Sequence, residues 1–134
     1  MPETTAQDTA MLLVEPETML RRTVALTARS LELGNIHEAA SMALARQMLK
    51  QQAFDGAVIA IDCGEAYDLS LLDQVREGRS ASDRAIPIAV MTGRCDSQLL
   101  EALRKRDINR VILKPFRARI LLDAFAALAQ ARRE

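Results

Sequence analysis

Two side chains in the second half of this chain are of a type and spacing that could bind an anion together. Thr92 closes the apolar run Ile86-Pro87-Ile88-Ala89-Val90-Met91, and Lys114 closes another, Arg110-Val111-Ile112-Leu113, twenty-two residues later. With one helix between them, both runs read as strands of one parallel sheet, which brings hydroxyl and ammonium to the same edge. The carboxylates that could join them follow two earlier apolar runs. Glu15 succeeds Ala10 to Val14, and Asp62 succeeds Ala57 to Ile61. Cys63 and Cys95 are too few for a disulfide framework and too far apart for a zinc knuckle, so free thiols are the expectation. Both fall in loops at the same edge, where a regulatory disulfide is the alternative. His37 has no partner cluster and reads as a surface or packed residue, not a ligand.

The elements that must position these groups follow from periodicity. Ala10 to Val14 is a continuous apolar run, as in a strand covered on both faces. Pro16 suits the first turn of a helix, and the glutamates beside it favour the positive end of that helix. Met19, Leu20, Thr23, Val24, Leu26, Thr27 and Leu31 recur at helical spacing, which predicts a helix to about Leu33 that stops at Gly34. Asn35 to Ala39 is a weak strand. Ser41 to Gln51 carries Met42, Leu44, Ala45, Met48 and Leu49 at helical spacing.

After the turn Phe54-Asp55-Gly56 comes a third strand, Ala57 to Ile61, and then a loop, Asp62 to Glu65. A third helix buries Leu69, Leu71, Leu72 and Val75. Glu77 to Arg84 is a polar connection, and Pro87 opens the fourth strand. Asp96 or Ser97 caps a fourth helix with Leu99, Leu100 and Leu103. The fifth strand is Val111 to Leu113. A last helix from about Arg117 points Ile120, Leu121, Leu122, Phe125 and Leu128 inward. Five β-then-α units predict an α/β, flavodoxin-like, doubly wound five-stranded parallel sheet in three layers. Residues 1–9 are expected to be a tail, 10–130 one domain, and 131–134 a second tail. The chain reads as a stand-alone module without an output domain.

Composition removes several classes. At 134 residues the chain can bury one core. Lys plus Arg and Asp plus Glu are both 18, so the basic excess of a nucleic-acid binder is missing. The absence of Trp and the single Tyr remove the stacking platforms of single-strand binders. No apolar run is long enough to span a bilayer, and the polar N-terminus is unlike a secretory signal, so no membrane is expected and a cytoplasmic location is. No Gly-rich phosphate loop follows the first strand, where Glu15-Pro16-Glu17 would repel phosphate; this counts against a nucleotide-binding enzyme. The six methionines read as mostly core-facing.

Strand-Thr, helix, strand-Lys-Pro-Phe resembles the end of a two-component response-regulator receiver domain of the CheY-like superfamily, and the resemblance covers about residues 10–130. It implies phosphoryl transfer to an Asp at the end of the third strand, with magnesium held by carboxylates and the phosphoryl oxygens held by Thr92 and Lys114. The chain departs from that pattern. Counting from Asp55 and back from Leu69 both place the acceptor position at Ala60, which has no oxygen to phosphorylate. The paired acids after the first strand correspond to Glu15 and Pro16, and Glu17 lies about 100° further round a helix. The aromatic that relays switching is matched by Val111, whose χ1 is restricted.

Further implications of the resemblance are a cis peptide before Pro115 and a helix-ending left-handed residue at Asp107. The reading is therefore a degenerate receiver, or pseudo-receiver. It is a signalling protein and not an enzyme, acting by protein contact without a cofactor. The implied partner is a histidine kinase or a downstream signalling protein. A homodimer through the fourth helix, fifth strand and fifth helix is also implied, where Arg104, Arg110, Arg117 and Arg119 lie. The alternative is an atypical regulator phosphorylated on Asp62, with Glu15, Glu17 and Asp62 as weak magnesium ligands. At Lys114 the simplest structural expectation is a pairing with Glu15 or Asp62, and at Thr92 a bond to a local backbone group.

Overall fold

The computed structural model describes residues 9–108 and 110–133. Its strands are β1 (Ala10–Val14), β2 (Asn35–Ala39), β3 (Gly56–Ala60), β4 (Asp62–Cys63), β5 (Ala66–Tyr67), β6 (Ile88–Thr92) and β7 (Arg110–Leu113). Its helices are α1 (Thr18–Ser30), α2 (Met42–Gln51), α3 (Ser70–Arg76), α4 (Ser97–Arg104) and α5 (Ala118–Arg133). Five strands form one parallel sheet in the order β2-β1-β3-β6-β7, the flavodoxin-like order expected from the alternation of elements. The order reverses between β1 and β3, so a crevice opens beyond their carboxyl ends.

Strand alternation sorts the core into two layers. Leu12, Val14, Ile59, Ile61 and Val90 pack with α2, α3 and α4 residues such as Leu49, Leu72 and Leu103. Met11, Leu13, Val58, Ala60, Met91 and Ile112 pack on the other face with Val24, Leu121 and Phe125. By the same period of two, Glu15 and Lys114 extend the second face beyond Leu13 and Ile112. Glu15, Ala60 and Lys114 thus share one side of the sheet.

Several expected details are corrected. Helix α1 ends at Ser30, before Gly34. Glu32 takes the left-handed turn instead (φ 57°), with the Leu33 and Glu32 N–H groups donating to the carbonyls of Ala28 (2.9 Å) and Arg29 (3.0 Å). Pro16 precedes the helix, whose N-cap is Glu17, accepting from the Leu20 N–H. The buried face of α1 is Val24, Ala25 and Ala28, while Met19, Leu26 and Leu31 are exposed, Met19 by 77%. In α5, Ile120 is exposed; Leu121, Ala124, Phe125, Leu128 and Ala129 face inward. In both helices alanines share the contact with larger residues, and their small side chains let the helix lie close to the sheet.

Asp107 does hold the left-handed conformation (φ 57°), and the Lys114–Pro115 peptide is cis. Thr9, placed in the tail by the sequence, is buried, and its carbonyl accepts from the Asn35 N–H at 2.8 Å. The rest of that tail, residues 1–8, lies outside the described residues. Helix α5 runs through Arg133, past the expected boundary at 130; Glu134 lies outside the described residues.

The segment after β3 is not a plain loop. Strands β4 and β5 form a small antiparallel hairpin, pairing Asp62 with Tyr67 and Cys63 with Ala66. Gly64, with φ 61°, turns it. This hairpin stands at the carboxyl edge, where the site would be.

Candidate functional site

The carboxyl edge holds two separate hydrogen-bonded centres. In the first, the Lys114 ammonium pairs with Glu15 Oε1. Glu15 is only 1% exposed, a carboxylate that burial would penalise heavily if it had no partner. Its other oxygen accepts from the Glu17 N–H at 3.0 Å. Arg21, from α1, donates to the Glu15 carbonyl at 3.0 Å and pairs with Glu38 of β2 at 3.3 Å. Both carboxylate oxygens of Glu15 therefore have partners from within the chain.

In the second centre, the Thr92 hydroxyl donates to Asp62 Oδ1, and the Gly93 N–H donates to Asp62 Oδ2 at 2.8 Å. The hydroxyl also lies 2.9 Å from the Arg94 carbonyl, which accepts from the Tyr67 hydroxyl at 3.1 Å. The Arg94 guanidinium in turn donates to the Glu65 carbonyl. Thr92 is buried at the end of β6, and Asp62 is exposed. Because β3 ends at Ala60, strand alternation no longer aims Asp62 towards Lys114. The hairpin delivers it to Thr92.

Thr92 and Lys114 are thus at one edge but hold different carboxylates. Ala60, buried in the second core layer, brings a methyl group to the side of the sheet that Glu15 and Lys114 share. Glu15 pairs with Lys114, one of its two expected partners. Thr92, expected to bond local backbone, reaches Asp62 as well. Asp68 makes a local structural contact that sequence reasoning missed. It accepts from the Ser70 N–H (2.9 Å) and hydroxyl (2.6 Å) at the start of α3, and these bonds hold its carboxyl below the usual range. An Asp two residues before a Ser at a helix start was the available signal. With Asp68 in that role, Asp62 is not needed to begin the helix.

Magnesium needs several hard oxygen ligands in near-octahedral array. The residues here do not fit it. Glu15 is held by Lys114 and Glu17, Pro16 has no carboxylate, Ala60 has no oxygen, and Asp62 is held by Thr92 and Gly93. Glu17 caps α1 through the Leu20 N–H. Among the described residues, no three His, Cys, Asp or Glu side chains group to hold a metal.

The thiols are free; Cys63 is exposed and Cys95 partly buried. Burial, reinforced by Asp96, pushes the Cys95 thiol up, away from the reactive thiolate. Asp62 and Tyr67, paired across the hairpin, both reach towards residues 92–94, so Cys63 and Ala66 occupy the opposite face. His37 is packed edge-on against Phe54, with ring centroids 5.5 Å apart. Of the expected partner-face cations, Arg104 pairs with Glu101 at 3.7 Å, while Arg110, Arg117 and Arg119 are exposed around β7 and the start of α5. No described helix is long and apolar enough to cross a membrane.

No protein-family model matches the sequence, and no curated protein matches it. Solved structures do. The receiver domain of HemR from Leptospira biflexa is 17% identical, with a TM-score of 0.79 over 91% of this chain and 94% of that one. A CheY-like receiver domain protein from Methanospirillum hungatei JF-1 is 16% identical, with a TM-score of 0.77 over 92% and 95%. The chemotaxis protein CheY4 of Vibrio cholerae is 17% identical, with a TM-score of 0.76 over 90% and 98%. At these identities the likeness is one of fold. The chain has the fold of a response-regulator receiver domain.

Proposed function

We propose that this chain is a receiver-fold signalling protein of the two-component type that acts by protein–protein contact, without phosphoryl transfer at the standard position. It is not an enzyme and uses no metal cofactor. One observation carries the reading: Ala60 offers only a methyl group on the side of the sheet where Lys114 stands, and that lysine is engaged by the buried Glu15. A cytoplasmic location accords with it. The contact surface in this reading is α4–β7–α5, where Arg110, Arg117 and Arg119 lie beside exposed Leu113 and Ile120. Its partner is a histidine kinase, a downstream signalling protein or a second copy of the chain.

A second reading makes Asp62 an atypical phospho-acceptor. It is favoured by the exposure of Asp62 and its bond to Thr92. Against it, Lys114 is committed elsewhere and the metal ligands are missing. Incubation with acetyl phosphate and magnesium, followed by intact-mass measurement, separates the two. We expect no phosphoryl adduct. An adduct on the wild-type chain that is lost in Asp62→Ala would replace the first reading with the second.

A further inference from the structure

We infer that Asp62 is an internal stand-in for a phosphoryl group: its carboxylate occupies the anion position formed by the Thr92 hydroxyl and the Gly93 N–H. This rests on the reading of the chain as a receiver that is not phosphorylated. The first support is the donor set. A buried hydroxyl and the next backbone N–H converge on the two oxygens of one carboxylate, as they would on two oxygens of a tetrahedral anion.

The second support is the frame around the carboxylate. Gly64 turns the hairpin, the Asp62↔Tyr67 pairing sets both side chains on one face, and the Tyr67 hydroxyl reaches the Arg94 carbonyl. The Arg94 guanidinium closes the frame on Glu65. Hairpin and post-β6 loop are therefore stapled at four points, two of them through Asp62. A residue that served only to terminate β3 would need none of these.

The third support is the rest of the edge. Glu15 occupies Lys114 in the same way, so both cationic or hydroxyl groups expected to receive a phosphoryl oxygen already hold a carboxylate of this chain. Both anion positions are supplied from within, and the loop 92–94 stays in its anion-bound arrangement without a phosphorylation event.

If so, removing the carboxylate uncovers a site for an external anion. Amide NMR titrations with inorganic phosphate on the full chain test this in wild type, Asp62→Ala, and Asp62→Ala with Glu15→Gln. We expect no saturable response at Gly93 and Arg94 in wild type, a saturable one in Asp62→Ala, and tighter binding when Lys114 is also released. Adding Thr92→Val to Asp62→Ala should abolish it. Hydrogen exchange at the Gly93 amide should also accelerate by roughly tenfold or more in Asp62→Ala, as expected for loss of a bond to a charged acceptor.

A folded Asp62→Ala that ignores phosphate, or a wild type that binds it equally well, overturns the proposal. Should Asp62→Ala not fold, Asp62→Asn keeps the shape but can accept from only one of the two donors. Unchanged exchange at Gly93 and an unchanged Thr92 environment in that variant would equally overturn it. These outcomes leave the functional reading standing, since that one falls to a phosphoryl adduct on the wild-type chain.

Discussion

The Glu15–Lys114 pair sets the energetics of the edge residue by residue. Glu15 is buried and Lys114 keeps 28% of its side chain in solvent, so the two partners are not equivalent. Replacing Lys114 by Met leaves a buried carboxylate with only the Glu17 N–H, which should cost on the order of 2–3 kcal/mol. That is below the roughly 3–5 of a fully buried pair, because water reaches one partner. Glu15→Gln combined with Lys114→Met removes the uncompensated charge and should recover most of the loss. Urea denaturation of the two variants checks this; a Lys114→Met chain as stable as wild type would mean the pair is mere surface electrostatics. Much of this centre was legible in the sequence, because Glu15, Ala60 and Lys114 all sit at strand ends where a period of two fixes direction. Asp62 was not, because it lies two residues beyond the end of β3 at Ala60. Its direction depends on a hairpin whose only sequence signal is the two-residue turn Gly64-Glu65 between very short pairs.

At the scale of elements, all five strands of the parallel sheet stand within a residue or two of where their apolar runs place them. Helix α3 buries its expected Leu71, Leu72 and Val75, while the faces of α1, α2, α4 and α5 are met only in part, with Leu44, Leu100 and Ile120 exposed. In α1 the expected stripe holds Val24 together with Met19, Leu26 and Leu31; the chain buries Val24 with Ala25 and Ala28 and leaves the three larger side chains exposed. Close approach to the sheet favours small residues, a preference invisible to a count of large apolar ones. The weak second strand, β2, carries a testable consequence. His37 lies there against Phe54, with Gln52 Nε2 3.3 Å from its ring nitrogen. Burial first, and Arg29 second, hold its imidazole below the usual value. On its own strand and from α1 the charged groups nearest this region are Glu38, Arg21, Arg22 and Arg29. With a folded-state value below the unfolded one of about 6.5, the unfolded chain binds the extra proton first. The stabilisation is thus complete above that unfolded value and is lost as pH falls through it towards the folded one. His37→Gln should flatten the dependence of stability on pH in that window and leave it unchanged above. Denaturation midpoints for the two chains across mildly acid pH measure the difference; identical slopes would mean His37 titrates as a free imidazole.

For the whole molecule, eighteen basic and eighteen acidic residues cancel, so no net charge draws a partner from a distance. Recognition must come from local surface. The α4–β7–α5 face offers Leu100, Leu113 and Ile120, each more than two-fifths exposed, beside Arg110, Arg117 and Arg119. Strand β7 is also an edge of the sheet, with unpaired backbone groups facing outward. If a second copy covers this face, sedimentation velocity on the wild type should show association that rises with concentration. Leu113→Asp with Ile120→Asp should abolish it. Because both side chains already meet solvent, the double variant should change unfolding free energy by no more than about 0.5 kcal/mol per site. Loss of association together with loss of fold would therefore not count as support. A wild type that remains monomeric at every concentration would end the homodimer reading and assign the face to a different protein, whose binding the same two substitutions should then weaken.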